Sequence, residues 1–110
     1  MIEVTIYKDS DSDHIIGFHT YGHAEYADAG YDIICSAVSA IVITTVNSIE
    51  RLTGEKASCR QEQEQGEIEL MFDHVPNEKA DLLLQSMMLG LSDIETQYGS
   101  EYLNVNTKEV

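Results

Sequence analysis

A histidine at position 23 and a cysteine at position 35 bracket a short segment containing Gly30, and Asp32 and Ser39 flank the cysteine on either side. Those residue types at that spacing point to a thiol nucleophile and its base. An unperturbed thiol is only about 3% ionised at pH 7, so a nucleophilic cysteine needs a neighbour that stabilises the thiolate. Cys35 opens an apolar helix read from Ser36 to Thr53, whose N-terminal amides and dipole would favour negative charge at the sulfur and hold an oxyanion. An imidazolium at His23 would stabilise the same thiolate and then protonate a leaving amine.

Asp32, three residues before Cys35, suits either a helix cap or a residue holding the imidazole in one tautomer, and the sequence leaves both open. Ser39 lies one turn after Cys35 on the same helix face, within reach of the histidine or a substrate. Gly22 lets the backbone pass closely beside His23.

Plainer readings stand beside these. A lone cysteine at the start of an apolar helix is commonly a small buried hydrophobe. A zinc site built from His19, His23, Cys35 and Cys59 lacks a closely spaced ligand pair, so no metal is expected. Cys59, on a strand, reads as packing, and His14 and His74 as surface residues. With no C-x-x-C motif and a reducing compartment expected, both cysteines read as free thiols and a redox pair is disfavoured.

The elements that must position these groups follow from periodicity. Ile2, Val4 and Ile6 alternate with polar neighbours as a strand, and Asp9 to Asp13 forms a polar turn. A second strand, from about His14 to His23, puts Ile15, Gly17, His19, Tyr21 and His23 on one face and Ile16, Phe18 and Thr20 on the other. Small residues from Ala24 to Ile34 predict a mobile surface loop. The helix after it buries Val38, Val42, Val46 and Ile49, with Ile41, Ile43 and Leu52 widening that face, and stops at Gly54.

Ala57 to Glu64 and Glu67 to Asp73 read as a hairpin turning at Gln65-Gly66. Pro76 opens a second helix that repeats Ala80, Leu83, Leu84, Met87, Met88, Leu91 and Ile94 to about Tyr98, and Leu103, Val105 and Thr107 make a last strand. The order ββαββαβ predicts a two-layer α/β sandwich, a five-stranded mixed sheet with two helices. Open sheet edges and a Met-rich second helix suggest a homodimer.

Composition bounds the function. The 110 residues, 43% hydrophobic, make one domain, 1–110. Twenty acidic against six basic residues give a formal charge of −14, which opposes direct nucleic-acid binding and favours a cationic partner. The N-terminus Met1-Ile2-Glu3-Val4 lacks the positive region of a secretory signal, and no uninterrupted apolar run of bilayer length is read. A cytoplasmic protein off the membrane is the expectation.

Gly22-His23-Ala24, followed by Gly30-Tyr31-Asp32-Ile33-Ile34-Cys35-Ser36-Ala37-Val38-Ser39, resembles the signature of the bacterial ribosomal-processing cysteine protease Prp family. The element order matches along nearly the whole chain. The resemblance implies an endopeptidase, without metal or other cofactor, that removes an N-terminal extension from a large-subunit ribosomal protein. By matching position it makes Cys35 the nucleophile, His23 the general base, and Asp32 and Ser39 supporting polar residues. It makes Ala24 to Tyr31, with Tyr26 and Gly30, the mobile segment over the substrate groove, and it implies a dimer. A substrate ending in aromatic and small residues asks for an apolar cleft, for which Tyr21, Tyr26 and Tyr31 are candidates. The acidic charge suits a basic ribosomal protein as substrate. The competing reading is a non-catalytic acidic ribosome-assembly or adaptor module that binds such a protein.

Overall fold

In the computed structural model, described for residues 1–22, 29–62 and 64–110 with the side chains of 29–32 excepted, the order is β1 (Ile2–Lys8), β2 (Ile15–Tyr21), α1 (Ala29–Leu52), β3 (Ser58–Glu62), β4 (Glu67–Met71), α2 (Glu78–Tyr98) and β5 (Leu103–Glu109). The strands form one mixed sheet in the order β3-β4-β2-β1-β5. Every neighbouring pair is antiparallel except β1 with β5, which run parallel. Only a crossover can join parallel neighbours, so the later half of the chain must pass over the sheet before β5 is laid down.

Ile2, Val4 and Ile6 of β1, Phe18 of β2, Leu70 of β4 and Leu103 of β5 share the buried face of the sheet. Ile34, Val38, Val42 and Ile49 of α1 and Ala80, Leu84, Met87 and Leu91 of α2 close over it in a single cluster. The stripes recur at three and four residues, as a helix lying on a core demands. Two helices on one face of five strands confirm the two-layer sandwich.

α2 starts where Asn77 accepts a hydrogen bond from Ala80 N, and it ends at Gly99, whose φ of 106° few residues but glycine adopt. The hairpin turns through Gly66 at φ 60°, as its sequence predicts.

Four details depart from the sequence expectations. The register between β1 and β2 shifts at Tyr7/Lys8, making Ile16 an extra residue on β2. Ile15 therefore joins Phe18 and Thr20 on the buried side rather than sharing a face with His19. On α1, Ile43 and Leu52 are exposed, Ile43 because it is turned about 100° from Val42 and Leu52 because it is the last residue of the helix. On α2, Met87 is core, as its place in the repeat predicts, while Leu82, Leu89 and Tyr98 are exposed.

The largest departure is the start of α1. The helix begins at Ala29, so Ala29 to Ile34 is helical rather than loop, and Ile34 is buried in the core. A segment of that helix, Ile33–Leu52, is also long and apolar enough to cross a bilayer, against the expectation that no such run exists. Here its buried stripe packs on the sheet and on α2.

Candidate active site

The early start of α1 changes the surroundings of Cys35. Cys35 sits in the second turn, where its own amide has an acceptor one turn back. The expectation that Cys35 opens the helix is therefore corrected. Its side chain leans toward the helix N-terminus, over the first turn, where amides without intrahelical acceptors lie.

Cys35 is half-buried on the wall of an open groove of about 250 Å³. Val38, Ser39 and Val42 continue that wall along α1, and Thr20 with Gly22 forms the end contributed by β2. Ile68 of β4 and Gln61 of β3 supply the opposite side. Ser39 thus shares the groove with Cys35, as its spacing predicts.

Gly22 fixes where the chain leaves the sheet. Its φ is +101°, and a Cβ there would lie 2.5 Å from the Met1 carbonyl oxygen. Its N–H donates to Gln65 O at 3.1 Å. Only glycine meets both demands.

His23, Ala24 and Tyr26 lie outside the described residues. Gly30, Tyr31 and Asp32 belong to the first turn of α1, and the side chains of Tyr31 and Asp32 lie outside the description. Tyr21 does not line the groove. It is exposed on the opposite face of the sheet, stacked on His19 with ring centroids 6.3 Å apart.

His19 belongs to an ion-pair network on that outer face. Its Nε2 lies 2.9 Å from Glu67 Oε2, and Glu67 also receives the Arg60 guanidinium. The hydrogen bond from His19, followed by that from Arg60, holds the Glu67 carboxyl below the usual carboxylate range. Glu67 and its cross-strand partner Glu62 make the rim of the groove acidic. Sequence reasoning missed Gln61, Glu62, Glu67 and Ile68, because only the pairing of β2 with β4 brings the hairpin beside Cys35.

Cys59 faces a separate pocket lined by Val46, Ile49 and Leu70. It is exposed on the edge strand rather than packed, and partial burial together with the charge of Glu50 pushes its thiol upward, which a hydrogen bond with Gln61 partly offsets. With His19 on the far face and Cys59 in another pocket, the conjectured zinc set does not assemble, and no metal-binding cluster occurs among the described residues. His14 and His74 are surface residues, as expected, each ion-paired.

A half-exposed thiol on a helix wall, facing an open groove floored by the sheet, defines the architecture of a thiol hydrolase with room for an extended chain. The comparisons carry that class to a family. The chain belongs to the cysteine protease Prp family, whose sequence profile matches residues 1–103. The ribosomal processing cysteine protease Prp of Staphylococcus aureus is 33% identical over 87 residues, covering 79% of this chain and 81% of that protein. Its Bacillus subtilis counterpart is 32% identical over 111 residues, covering 97% of each. The crystal structure of the essential S. aureus protease with a substrate peptide superposes with a TM-score of 0.89 at 30% identity, covering 98% of this chain and all of that one. The same protease with a covalently linked product peptide gives 0.87 at 31%. This protein is a cysteine protease, and the non-catalytic reading falls.

Proposed function

We propose that Cys35 is the nucleophile, that His23 is its general base, and that the substrate is the N-terminal extension of a large-subunit ribosomal protein. One observation carries the reading: Cys35 and Ser39 open, a turn apart, onto the groove at whose edge the constrained Gly22 hands the chain to His23. The imidazole takes the thiol proton, and Sγ attacks the scissile carbonyl carbon to form a tetrahedral intermediate. Collapse breaks the C–N bond, the imidazolium protonates the leaving amine, and water then hydrolyses the thioester, returning the thiol. Asp32 and Ser39 support these steps by orienting the imidazole or the substrate.

The charge of −14 and the acidic groove rim favour a strongly basic substrate met in the cytoplasm as free protein or early particle, away from ribosomal RNA. The exposed Leu82 and Leu89 on α2 support a homodimer, which sedimentation equilibrium would test.

The deciding experiment is mass spectrometry of a peptide spanning the extension, incubated in parallel with wild type, Cys35→Ala and His23→Ala. The expected result is one internal cut by wild type and none by either variant. An uncut peptide with wild type refutes the substrate, and cleavage by Cys35→Ala refutes the nucleophile.

A further inference from the structure

Three polar side chains are buried among the described residues, and all three are threonines: Thr20, Thr45 and Thr53. Thr45 donates to Ile41 O at 2.8 Å and Thr53 to Ile49 O at 2.6 Å, so each of these hydroxyls has its acceptor four residues back. Thr20 has none. It lies on β2, 4% exposed, between Val4 of β1 and Ile68 of β4, and its hydroxyl takes no hydrogen bond among the described residues.

A hydroxyl withdrawn from water without a partner costs stability, whereas a valine of nearly the same shape would not. Thr20 faces the groove that holds Cys35, and Ile2, Val38, Val42 and Ile68 around it there are apolar. A molecule bound in that groove can supply the missing partner. The hydrogen is the part of the hydroxyl that demands one, because unused acceptor capacity is better tolerated in protein interiors than an orphaned donor. Every residue of a bound peptide presents an acceptor in its carbonyl oxygen.

We propose that Thr20 is a substrate-binding residue whose hydroxyl donates to the main-chain carbonyl oxygen adjoining the scissile one. This role rests on Cys35 being the nucleophile. Cys35 stands on the helix side of the groove and Thr20 on the sheet side. A scissile carbonyl attacked by Cys35 turns its oxygen toward the free amides of the first turn of α1, and successive carbonyls of an extended chain point opposite ways, which sends the adjoining one toward β2. The contact is made through the peptide backbone, so it holds the substrate whatever side chain stands at that position.

Thr20→Val removes the hydroxyl and keeps the shape. In the free protein it is expected to raise the urea midpoint, because a buried unpaired group is lost, and with the extension peptide it is expected to lower kcat/KM about tenfold. Thr20→Ser, which restores the hydroxyl, is expected to recover most of that loss. A lower midpoint in Thr20→Val would mean that the hydroxyl is already bonded within the free protein. An unchanged kcat/KM in Thr20→Val, or an equal loss in Thr20→Ser, would mean that it is not bonded to substrate. Each of these results overturns the proposal.

Thioamides locate the contact, since sulfur accepts a hydrogen bond poorly while the N–H is kept. Two peptides each carry a thioamide in place of the amide adjoining the scissile one, on one side or the other. With one of them the expected penalty in kcat/KM is about tenfold for wild type and less than about twofold for Thr20→Val. The same penalty with both enzymes on both sides overturns the proposal. Cleavage of the unmodified peptide by wild type separates the two failures. If wild type cuts and neither thioamide couples to Thr20, only the role of Thr20 is wrong; if wild type does not cut, the nucleophile and substrate reading fails and the role of Thr20 with it.

Discussion

The two ends of the sheet use their polar groups differently. At the end where α1 finishes and α2 begins, Thr53 donates to Ile49 O at 2.6 Å and accepts from Glu55 N at 3.1 Å. Asn77 donates to Thr53 O at 2.9 Å while it caps α2, and His74 lies between Glu55 and Asp73 at 2.5 and 2.6 Å. The α1–β3 and β4–α2 connections are tied together there. At the groove end the chain is held through Gly22 and its bond to Gln65, Glu67 of the rim is held by His19 and Arg60, and the side chains of Ser39 and Glu62 take no hydrogen bond or ion pair among the described residues. A binding groove needs polar groups left free for its ligand, and the end without a ligand can bond all of its own.

Substitutions at the two ends should therefore separate activity from stability. The largest effect is expected from Cys35→Ala, which should lower kcat/KM by about 10³-fold or more. Because Cys35 is only half-buried, the unfolding midpoint should stay nearly unchanged. Gly22→Ala should damage both properties. The added Cβ meets Met1 O and the φ is unfavourable, so stability should fall by about 1–3 kcal/mol and kcat/KM by about tenfold or more as the His23 segment is displaced. Denaturant titration and peptide kinetics on one preparation measure the two together. Unchanged kinetics in Gly22→Ala would mean that the groove end is not positioned by this residue.

Asn77→Ala should show the opposite pattern. Loss of the α2 cap and of the bond to Thr53 should cost about 1–2 kcal/mol, with kcat/KM within about twofold of wild type. A larger kinetic loss would mean that the two ends are coupled through α1.

The far end was the more legible in sequence. Pro76, the α2 periodicity and Gly99 bound that helix closely, since turn and cap chemistry are local. The start of α1 was not. Gly30 and a run of small residues read as loop, although one glycine in a first turn costs only about 1 kcal/mol relative to alanine, and burial of Ile34 offsets it. The error moved Cys35 from a helix cap to a second turn, yet its partnership with Ser39 survived because a spacing of four holds anywhere in a helix. Residues brought in by strand pairing, Glu67 and Gln61 among them, were invisible because β2 and β4 are joined across more than forty residues. Ile16 is a similar case, since a bulge leaves no mark in an apolar alternation.

The smallest expected effect also divides the ends, by pH. Asp73, and after it Glu55, raise the His74 imidazolium above its ordinary value near 6.5, so the folded state favours the charged ring. That contribution is complete below the ordinary histidine value and is lost as pH rises through the raised one. At the groove rim the sign is reversed. His19 and then Arg60 depress Glu67 below its ordinary value near 4.5, so its contribution is present above that value and is lost as pH falls through the depressed one. Alkali should loosen the loop end, and acid the groove end. His74→Gln should therefore flatten the fall in urea midpoint above pH 6.5, which Glu67→Gln should leave in place, while Glu67→Gln should flatten the fall below pH 4.5. His74 is exposed and Glu67 only partly buried, so the shifts should be small and should shrink in high salt, most of all at His74. If His74→Gln left the fall above pH 6.5 unchanged, the pairing with Glu55 and Asp73 would not be what fixes the loops at that end.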